Sequence, residues 1–377
     1  MSEVRTGADG RRHDLDWVRV IAILSVVFYH AAQPFTGKAL AVNAAEPSRP
    51  LAEFCYFFNQ WRMPLVFCIA GAASWIMLQR RTGPEYLHER VRRLIIPLAF
   101  AVLVFLPPQL YLRGQYTESF AAFYPHFIEV MVAQPLVRWG HLWFLAYLLL
   151  ADAFALPVLL LLRRGAGGQR MVARAGAALA RPYAILALAL PLAVVRCIPT
   201  RWVGDWTVFH VADFKTFALY LVVFAYGYLL ASSGASWDSA VRQRRVALAF
   251  AVVTQGAVYA LRAVADAPDS GAHPIASRLL DFVGALGMWF WVVTVLAYAR
   301  RYLHMENAAL RYAREATYPV YLLHYTVVMV IAAPFARSGA PVAVRFAGLT
   351  TATIAITLVL YEIVVKRNDA TRFVFGL

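Results

Sequence analysis

Apolar stretches of about twenty residues recur along this chain and limit its fold more than any other feature. A helix needs about 20 apolar residues to cross the hydrocarbon of a bilayer. The 377-residue chain is 61% hydrophobic, unlike soluble globular proteins. The stretches long enough to cross are 17–35, 55–78, 94–112, 141–162, 183–199, 213–231, 246–264, 279–299, 316–336 and 343–365. We therefore predict an all-α integral membrane protein, a polytopic bundle of about ten transmembrane helices forming one domain over residues 1–377.

The distribution of arginine and lysine predicts the orientation of the chain. If the N-terminus is cytoplasmic, the inner segments carry about twice as many of these residues as the outer ones, as the positive-inside rule requires. Both termini are then cytoplasmic, and residues 1–13 form a disordered cytoplasmic tail. The net charge of +15 follows from this bias and suits anionic membrane lipid. Because the arginines are spread over short segments, no nucleic-acid partner is expected.

The longest outer connection, residues 113–140, has an aromatic and apolar middle. Phe120, Phe123, Phe127 and Met131 recur at helical spacing with Glu118 and Glu129 between them. The segment is too polar to span, so it predicts an interfacial or re-entrant helix near 118–133 on the outer side. An amphipathic helix resting on lipid and a lid over a site are both compatible with this pattern.

Arg19 and His30 are the most informative polar residues. Both lie in the first apolar stretch, DLDWVRVIAILSVVFYHAAQPF, eleven positions and nearly three helical turns apart. They therefore share one helix face and are separated by roughly 16 Å along the axis. An ionisable residue at this depth costs several kcal/mol unless it faces a cavity or a partner, which makes both functional candidates.

Three further side chains are predicted at the same outer depth as His30. Arg62 lies in the outer third of the second span, and His141 and Trp143 begin the fourth. A neutral imidazole can take a proton from an alcohol, and a guanidinium or indole can stabilise the negative charge that develops. Headgroup snorkelling by Arg62 and an interfacial cap at His141 are the structural alternatives. We expect a catalytic group of His30, Arg62, His141 and Trp143, with no metal.

Arginines are concentrated on the predicted inner side. Arg19 has Asp16 three positions before it as an expected partner, and Arg90 and Arg93 lie at the start of the third span. Guanidinium groups bind phosphates bidentately, so these arginines predict a polyphosphate ligand, with positive-inside bias as the alternative. Asp152, within the fourth span, is expected to pair with an arginine such as Arg19.

His324 lies in the middle of the ninth span, in ATYPVYLLHYTVV. It shares a helix face with Tyr321 and Tyr325, so this span carries a polar stripe toward the bundle. The stripe either lines a cavity or makes interhelical hydrogen bonds. We include Tyr321, His324, Asp16 and Asp152 as expected cavity-lining residues.

These motifs resemble those of the acyltransferase-3 family of bacterial membrane acyltransferases. Arginine, ten residues and histidine in the first span is the family's best-known pattern, matched by Arg19 and His30. ERVRRLIIP resembles its arginine-x-x-arginine element through Arg90 and Arg93, and MPLVFCIAG, HLWFLAYLLL and YPVYLLHYTVV resemble three further signatures. The stretch from Pro107 to Tyr111 is similar to the periplasmic-glucan succinyltransferase branch.

The chain also departs from the family pattern. Many members have glycine after the first-span arginine, where Val20 stands here. The serine-glycine of the second span is Ala70-Gly71. Neither change removes a titratable group, so the expected chemistry is unaffected.

The resemblance implies transfer of an acyl group from cytoplasmic acyl-CoA to a hydroxyl of an extracytoplasmic glycan or small glycoside. The co-substrate would be acetyl-CoA or succinyl-CoA, with no bound cofactor, and the site would lie in the bacterial inner membrane. Arg19, Arg90 and Arg93 would hold the donor phosphates and His30 would act as general base. An acyl-histidine intermediate is an open alternative.

A second function class fits the same residues. Intramembrane arginine, histidine and aspartate also occur in transporters and flippases for anionic lipid-linked or sugar substrates. The sequence shows no inverted repeat and no matching broken spans in two halves, which favours the enzyme. The sequence alone defines neither the acyl group nor the acceptor, nor the oligomeric state.

Overall fold

The fold is a bundle of helices. In a computed structural model, the described residues are 11–37, 42–114, 118–133, 139–199, 207–208, 212–266 and 273–377. The first half contains α1 (His13–Ala32), α2 (Arg49–Arg80), α3 (Gly83–Arg90), α4 (Ile96–Val104), α5 (Leu106–Arg113), α6 (Phe120–Ala133) and α7 (Trp143–Arg164). The second half contains α8 (Ala166–Leu179), α9 (Ala184–Ala187), α10 (Ala189–Cys197), α11 (Phe214–Ala231), α12 (Gly234–Ala265), α13 (His273–Tyr302), α14 (Ala308–Arg337), α15 (Val342–Leu360) and α16 (Asp369–Val374).

Short irregular elements join these helices. Turns of 3-10 helix cover Gln33–Phe35 and Gly140–Leu142, and π-helical turns cover Val91–Ile95 and Tyr361–Val365. An antiparallel ribbon pairs β1 (Thr207–Val208) with β2 (Ala212–Asp213). The predicted all-α fold is confirmed, with this ribbon as its one described departure.

Nine continuous helical segments in the described residues are long and apolar enough to cross a membrane. Nine of the ten predicted spans correspond to them. The predicted span 183–199 is instead divided between α9 and α10, and the axis bends by 107° between α8 and this pair. The count reaches ten if the bent unit crosses as one span, so the prediction of about ten is confirmed.

Most helices extend beyond the predicted spans. Of the nine segments, the third runs from Gly83 to Arg113 and the sixth from Gly234 to Ala265. Local capping explains one early start, because Thr82 and Glu85 form a reciprocal capping box at the beginning of α3. Hydropathy marks only the apolar part of a helix and misses the polar turns that continue it.

Two glycines let α2 and α11 pack with their backbones in contact. A Cβ atom built on Gly71 would lie 1.9 Å from the carbonyl oxygen of Phe224, and one on Gly227 would lie 1.9 Å from that of Cys68. Small residues at such crossings allow the close approach that drives helix association in lipid. This contact fixes the second span, which carries Arg62, against the centre of the bundle.

The predicted outer helix near 118–133 corresponds to α6. Phe123 and Phe127 are buried against Leu106 and neighbouring residues of α5. The Tyr124 hydroxyl donates to the carbonyl oxygen of Leu103 at 2.8 Å. The helix therefore packs on the third spanning segment through its aromatic face.

Residues 1–10 of the predicted tail lie outside the described residues. Arg12 and His13, also assigned to that tail, are held in place. The Arg12 guanidinium lies 2.6 Å from the Asp14 carboxylate and 4.4 Å from the centre of the Trp237 ring, and His13 is buried in α1.

The glycine contact predicts the effect of a single methyl group. Gly227→Ala should destabilise the protein by about 1–3 kcal/mol, because a rigid backbone oxygen occupies the space that the methyl group needs. Gly256→Ala is the control, since a Cβ atom there meets no atom within 4 Å. Thermal unfolding of both purified variants would measure the difference, and equal midpoints would contradict the close packing.

Candidate active site

Three histidines from three spanning segments meet around one tyrosine. The ring centre of His30 lies 5.3 Å from that of His324 and 4.5 Å from that of Tyr325. The ring of His141 lies 5.5 Å from that of His324 and 5.1 Å from that of Tyr325. The structure thus brings together His30, His141 and His324, which are far apart in sequence. We call them the histidine cluster.

Each imidazole of the histidine cluster uses one nitrogen to hold its position. Nδ1 of His30 donates to Oε1 of Gln33 at 3.0 Å, and Nε2 of His141 donates to the Leu322 carbonyl oxygen at 3.2 Å. Nδ1 of His324 donates to the carbonyl oxygens of Tyr321 and Val320 at 2.7 and 3.1 Å. Because each of these partners is an acceptor, the proton lies on the bonded nitrogen and the other nitrogen keeps its lone pair.

Two of those lone pairs have no hydrogen-bond partner within the described part of the chain. They belong to Nδ1 of His141 and Nε2 of His324, and both nitrogens are buried. Buried polar atoms are usually paired, and unpaired ones often mark functional sites. The site therefore offers acceptors to a group that carries hydrogen-bond donors, such as a hydroxyl.

Gly140 helps to place His141. Its φ of +51° is a conformation that glycine adopts without strain, and a Cβ atom there would lie 3.2 Å from Oε1 of Gln109. The tight turn carries the chain into the 3-10 helix that contains His141. The Tyr321 hydroxyl then donates to the His141 carbonyl oxygen at 2.7 Å.

Arg62 lies beside the histidine cluster and is 3% exposed. Its guanidinium stacks over the ring of Tyr29 at 4.2 Å, while Nε and Nη1 have no hydrogen-bond partner among the described residues. It lies close enough to His30 and His324 to act on both electrostatically. The alternative of headgroup snorkelling is wrong, because the guanidinium is enclosed in the bundle.

Three residues that the sequence interpretation did not select complete the site. Gln33 orients His30, Tyr325 lies between the three imidazoles, and Arg113 donates to the Tyr325 hydroxyl. Gln33 lies one turn after His30, and this spacing was the available signal for it. Nothing in the local sequence indicates the Arg113–Tyr325 contact, because these residues are more than two hundred positions apart.

Arg19 lies toward the opposite end of α1, in a cluster of charged residues. Its Nε atom is buried without a hydrogen-bond partner among the residues described, and Nη2 donates to the Arg314 carbonyl oxygen at 3.4 Å. Arg11, Arg93 and Arg314 all lie near enough to repel it electrostatically. We call Arg11, Arg19, Arg93 and Arg314 the inner arginine cluster.

The expected partner of Arg19 was wrong. Asp16 forms ion pairs with Arg11 at 2.9 Å and with Arg314 at 3.6 Å. The tertiary fold brings these competing cations to Asp16. Asp16 remains close enough to attract Arg19 electrostatically, but it makes no direct ion pair with it in the described residues.

Asp152 pairs with an arginine as predicted, but this arginine is Arg90 and not Arg19, the example given. Asp152 lies 3.2 Å from Nε of Arg90 and accepts a hydrogen bond from the Tyr86 hydroxyl at 2.6 Å. Arg90 also donates to Ser74 at 2.6 Å, so internal partners hold its guanidinium. Asp152 and Arg90 therefore connect the second, third and fourth spanning segments. Arg93, in contrast, pairs with Glu89 and leaves 61% of its side chain exposed.

Trp143 lies apart from the imidazole contacts. Its ring packs against Tyr147 and lies 5.9 Å from the ring of Tyr220, with an angle of 25° between the planes. Together with Gln60 and Tyr220 it lines a cavity of about 570 Å³. The sequence interpretation placed Trp143 at this depth but expected Asp16, Asp152, Tyr321 and His324 to line a cavity, and none of these four lines this one.

The fold and this site define a multispan membrane protein with a buried imidazole cluster, and sequence comparison gives its class. The acyltransferase domain of the acyltransferase-3 family matches residues 12–362. The chain therefore belongs to this family of membrane acyltransferases.

Curated relatives carry a more particular name. The chain is 22% identical over 361 residues to the glucans biosynthesis protein C of Escherichia coli strain SMS-3-5 and of Escherichia coli O81 strain ED1a. The alignment covers 94% of this chain and 91% of each relative. No solved structure matches the chain significantly.

The internal pairing of Arg90 leads to a stability prediction. Arg90→Met should destabilise the protein by about 3–5 kcal/mol, because it leaves a buried carboxylate without its cation. Adding Asp152→Leu should restore much of that loss, since two apolar side chains can replace a buried pair. Thermal unfolding of both purified variants provides the measurement. An unchanged midpoint for Arg90→Met, with loss of donor affinity, would instead place Arg90 in a donor site.

Proposed function

We propose that this protein transfers an acyl group from cytoplasmic acyl-CoA to a hydroxyl of a glycan on the outer side of the bacterial inner membrane. The observation that carries this proposal is the histidine cluster, in which His30 is oriented by Gln33 and adjoins two buried lone pairs. Membership of the acyltransferase family supports the reaction class.

His30 acts as the general base. With Nδ1 bound to Gln33, the lone pair of Nε2 takes the proton of the acceptor hydroxyl as its oxygen attacks the thioester carbonyl carbon. The resulting tetrahedral intermediate collapses by breaking the carbon–sulfur bond. The departing thiolate takes the proton from the His30 imidazolium, which yields free CoA and the ester and returns His30 to its neutral state.

Arg62 stabilises the negative charge of the intermediate. Its two unpartnered nitrogens are buried beside the histidine cluster, where a fixed positive charge acts strongly because water is excluded. Trp143 forms part of the wall on the acceptor side. His141 and His324 accept hydrogen bonds from the acceptor and align it with His30.

The inner arginine cluster binds the donor phosphates. Arg19 offers a buried nitrogen without a hydrogen-bond partner in the described chain, and Arg93 is largely exposed nearby. Arg90 makes no contact with the donor. Its ion pair with Asp152 holds the neighbouring helices in position. Of the three arginines predicted to bind the donor, only Arg19 and Arg93 keep that role.

The donor arm follows α1 from the inner arginine cluster to the histidine cluster. The distance along the helix is roughly 16 Å, comparable to an extended pantetheine arm. Ala22, Ile23 and Val26 lie on this face and are buried. Entry of the donor therefore requires these side chains to separate from their neighbours.

The acceptor class rests on the relatives. The Escherichia coli proteins are named for glucan biosynthesis, and the match extends over nearly all of both chains. A glycan supplies hydroxyl donors that suit the acceptor nitrogens of the histidine cluster.

Replacement of the proposed base tests the reaction. His30→Ala should lower acyl transfer by about 10²–10⁴-fold, the usual contribution of a general base. His304→Ala is the control, because this histidine is exposed and does not belong to the histidine cluster. Transfer of label from radioactive acetyl-CoA and succinyl-CoA to glycans in membrane vesicles is the measurement. Undiminished transfer by a folded His30→Ala protein would contradict the proposal, and His30-independent movement of substrate without CoA release would favour a carrier.

The orientation of the base gives a separate prediction. Gln33→Leu removes the oxygen that fixes the His30 ring and should lower kcat roughly 10–100-fold, as loss of such orienting partners does elsewhere. Gln33→Glu keeps an acceptor at that position and should retain most of the activity. The donor KM should stay near that of the wild type in both variants. Equal kcat values for the two variants would show that Gln33 does not position His30.

A further inference from the structure

A second polar feature lies beside the histidine cluster, namely the cavity of about 570 Å³ lined by α2, α7, α10, α11 and α13. Its volume falls within the range of about 300–1,000 Å³ that small-molecule sites occupy. Its lining residues lie where α2, α7, α11 and α13 begin and α10 ends. Because α1 ends where α2 begins, this is the His30 end of the bundle.

The cavity and the histidine cluster share two short segments of chain. Arg62 lies beside the cluster, whereas Gln60, two residues earlier on α2, lines the cavity. His141 belongs to the cluster, whereas Trp143, two residues later, lines the cavity. Side chains two residues apart on a helix point to nearly opposite sides, so the cavity and the histidine cluster lie on either side of these same segments.

One wall of the cavity is aromatic and rigid. Tyr220 packs between Phe67, at 4.6 Å and nearly parallel, and Trp143, at 5.9 Å. Packing on both sides fixes the Tyr220 ring. Trp143 is held in turn by Tyr147. Because both faces of Tyr220 are covered, the wall presents rigid apolar ring edges to the carbon–hydrogen groups of a sugar ring.

The remaining lining is polar. The Gln60 side-chain nitrogen is buried and has no hydrogen-bond partner in the described parts of the structure. Asn59 and Thr216 supply an amide and a hydroxyl, and Arg196 pairs with Asp281 at 3.0 Å where both are partly exposed. A lipid acyl chain would leave the buried Gln60 nitrogen without a hydrogen bond, which is costly. A molecule with hydroxyls around its rim and an apolar face satisfies both kinds of wall.

We propose that this cavity is the acceptor-binding site and that it holds a short saccharide segment, with Gln60 and the Asp281–Arg196 pair bonding its hydroxyls and Trp143 and Tyr220 contacting its face. The proposal rests on the proposed acyl transfer for its role. Saccharide binding itself can be tested without that reaction.

Gly284 provides a way to fill the cavity without disturbing the fold. It lines the cavity, and a Cβ atom built on it meets nothing within 4 Å. Gly284→Leu therefore places a side chain in the open space and improves the helix propensity of α13. Gly256→Leu is the matched control, because this helical glycine also has open space around its Cβ position and does not line the cavity.

The experiment measures saccharide binding to the full-length protein in lipid nanodiscs. Calorimetric titration with glucose, a β-linked glucose dimer and the corresponding tetramer should detect binding to the wild type and to Gly256→Leu. Gly284→Leu should weaken that binding by about tenfold or more, since its side chain occupies the ligand space. The affinity for acetyl-CoA should be the same in all three proteins.

Three results would overturn the proposal. The first is that the wild type binds no saccharide. The second is that Gly284→Leu binds saccharide as tightly as the wild type does. The third is that Gly284→Leu displaces a copurified phospholipid and no saccharide. The acyl-transfer assay separates the two proposals. If Gly284→Leu still transfers the acyl group with an unchanged acceptor KM, the cavity is not the acceptor-binding site, whereas the proposed acyl transfer is unaffected. If Gly284→Leu weakens saccharide binding but the wild type transfers no acyl group, the proposed reaction is wrong, whereas the saccharide site in the cavity is supported.

Discussion

Placing imidazole and guanidinium groups inside a membrane bundle is costly unless each finds partners, and the surroundings of α1 reflect this constraint. His30 is anchored to Gln33, and His141 and His324 are anchored to backbone carbonyl oxygens. Arg62 rests on the ring of Tyr29. Each group has at least one nitrogen that these contacts do not use. In His141, His324 and Arg62 such nitrogens are buried. The structure therefore holds its polar groups in fixed orientations while leaving atoms that can bind a substrate.

The two ends of α1 differ in how they compensate charge. Several arginines lie near Arg19 and interact with the same carboxylates and backbone oxygens. Positive charge therefore remains in excess at this end. Near His30, imidazoles and an arginine are gathered, and none of the ion pairs of the described residues with Asp or Glu involves them. In the proposed reaction, this difference attracts the anionic donor to the first end and lets the neutral hydroxyl of the acceptor approach the second. The internal pair of Arg90 and Asp152 joins the third and fourth spanning segments and contributes rigidity.

Much of this arrangement could be predicted from the sequence. Apolar length and arginine distribution predicted the bundle. Helical spacing selected Arg19, His30 and His324, and predicted membrane depth selected Arg62 and His141. The sequence did not reveal partners that are distant along the chain. Asp16 was assigned to Arg19 because it lies one turn away, and Asp152 was assigned to an arginine such as Arg19. Tertiary packing instead brings Arg314 to Asp16 and Arg90 to Asp152. Tyr325 and Arg113 belong to the same class, because only the packing of α5 on α14 brings them together. The cavity beside Trp143 likewise depends on five helices and has no local signature.

The central claim is that one donor molecule extends along α1 from the inner arginine cluster to the histidine cluster. Cryo-electron microscopy of the full-length protein with a non-transferable thioether analogue of acetyl-CoA tests it most directly. We predict density for the phosphates at Arg19 and Arg93, an extended arm beside displaced Ile23 and Val26, and the sulfur next to Nε2 of His30. An analogue whose phosphates lie at Arg19 but whose arm remains outside the bundle, or whose sulfur lies far from His30, would contradict the account.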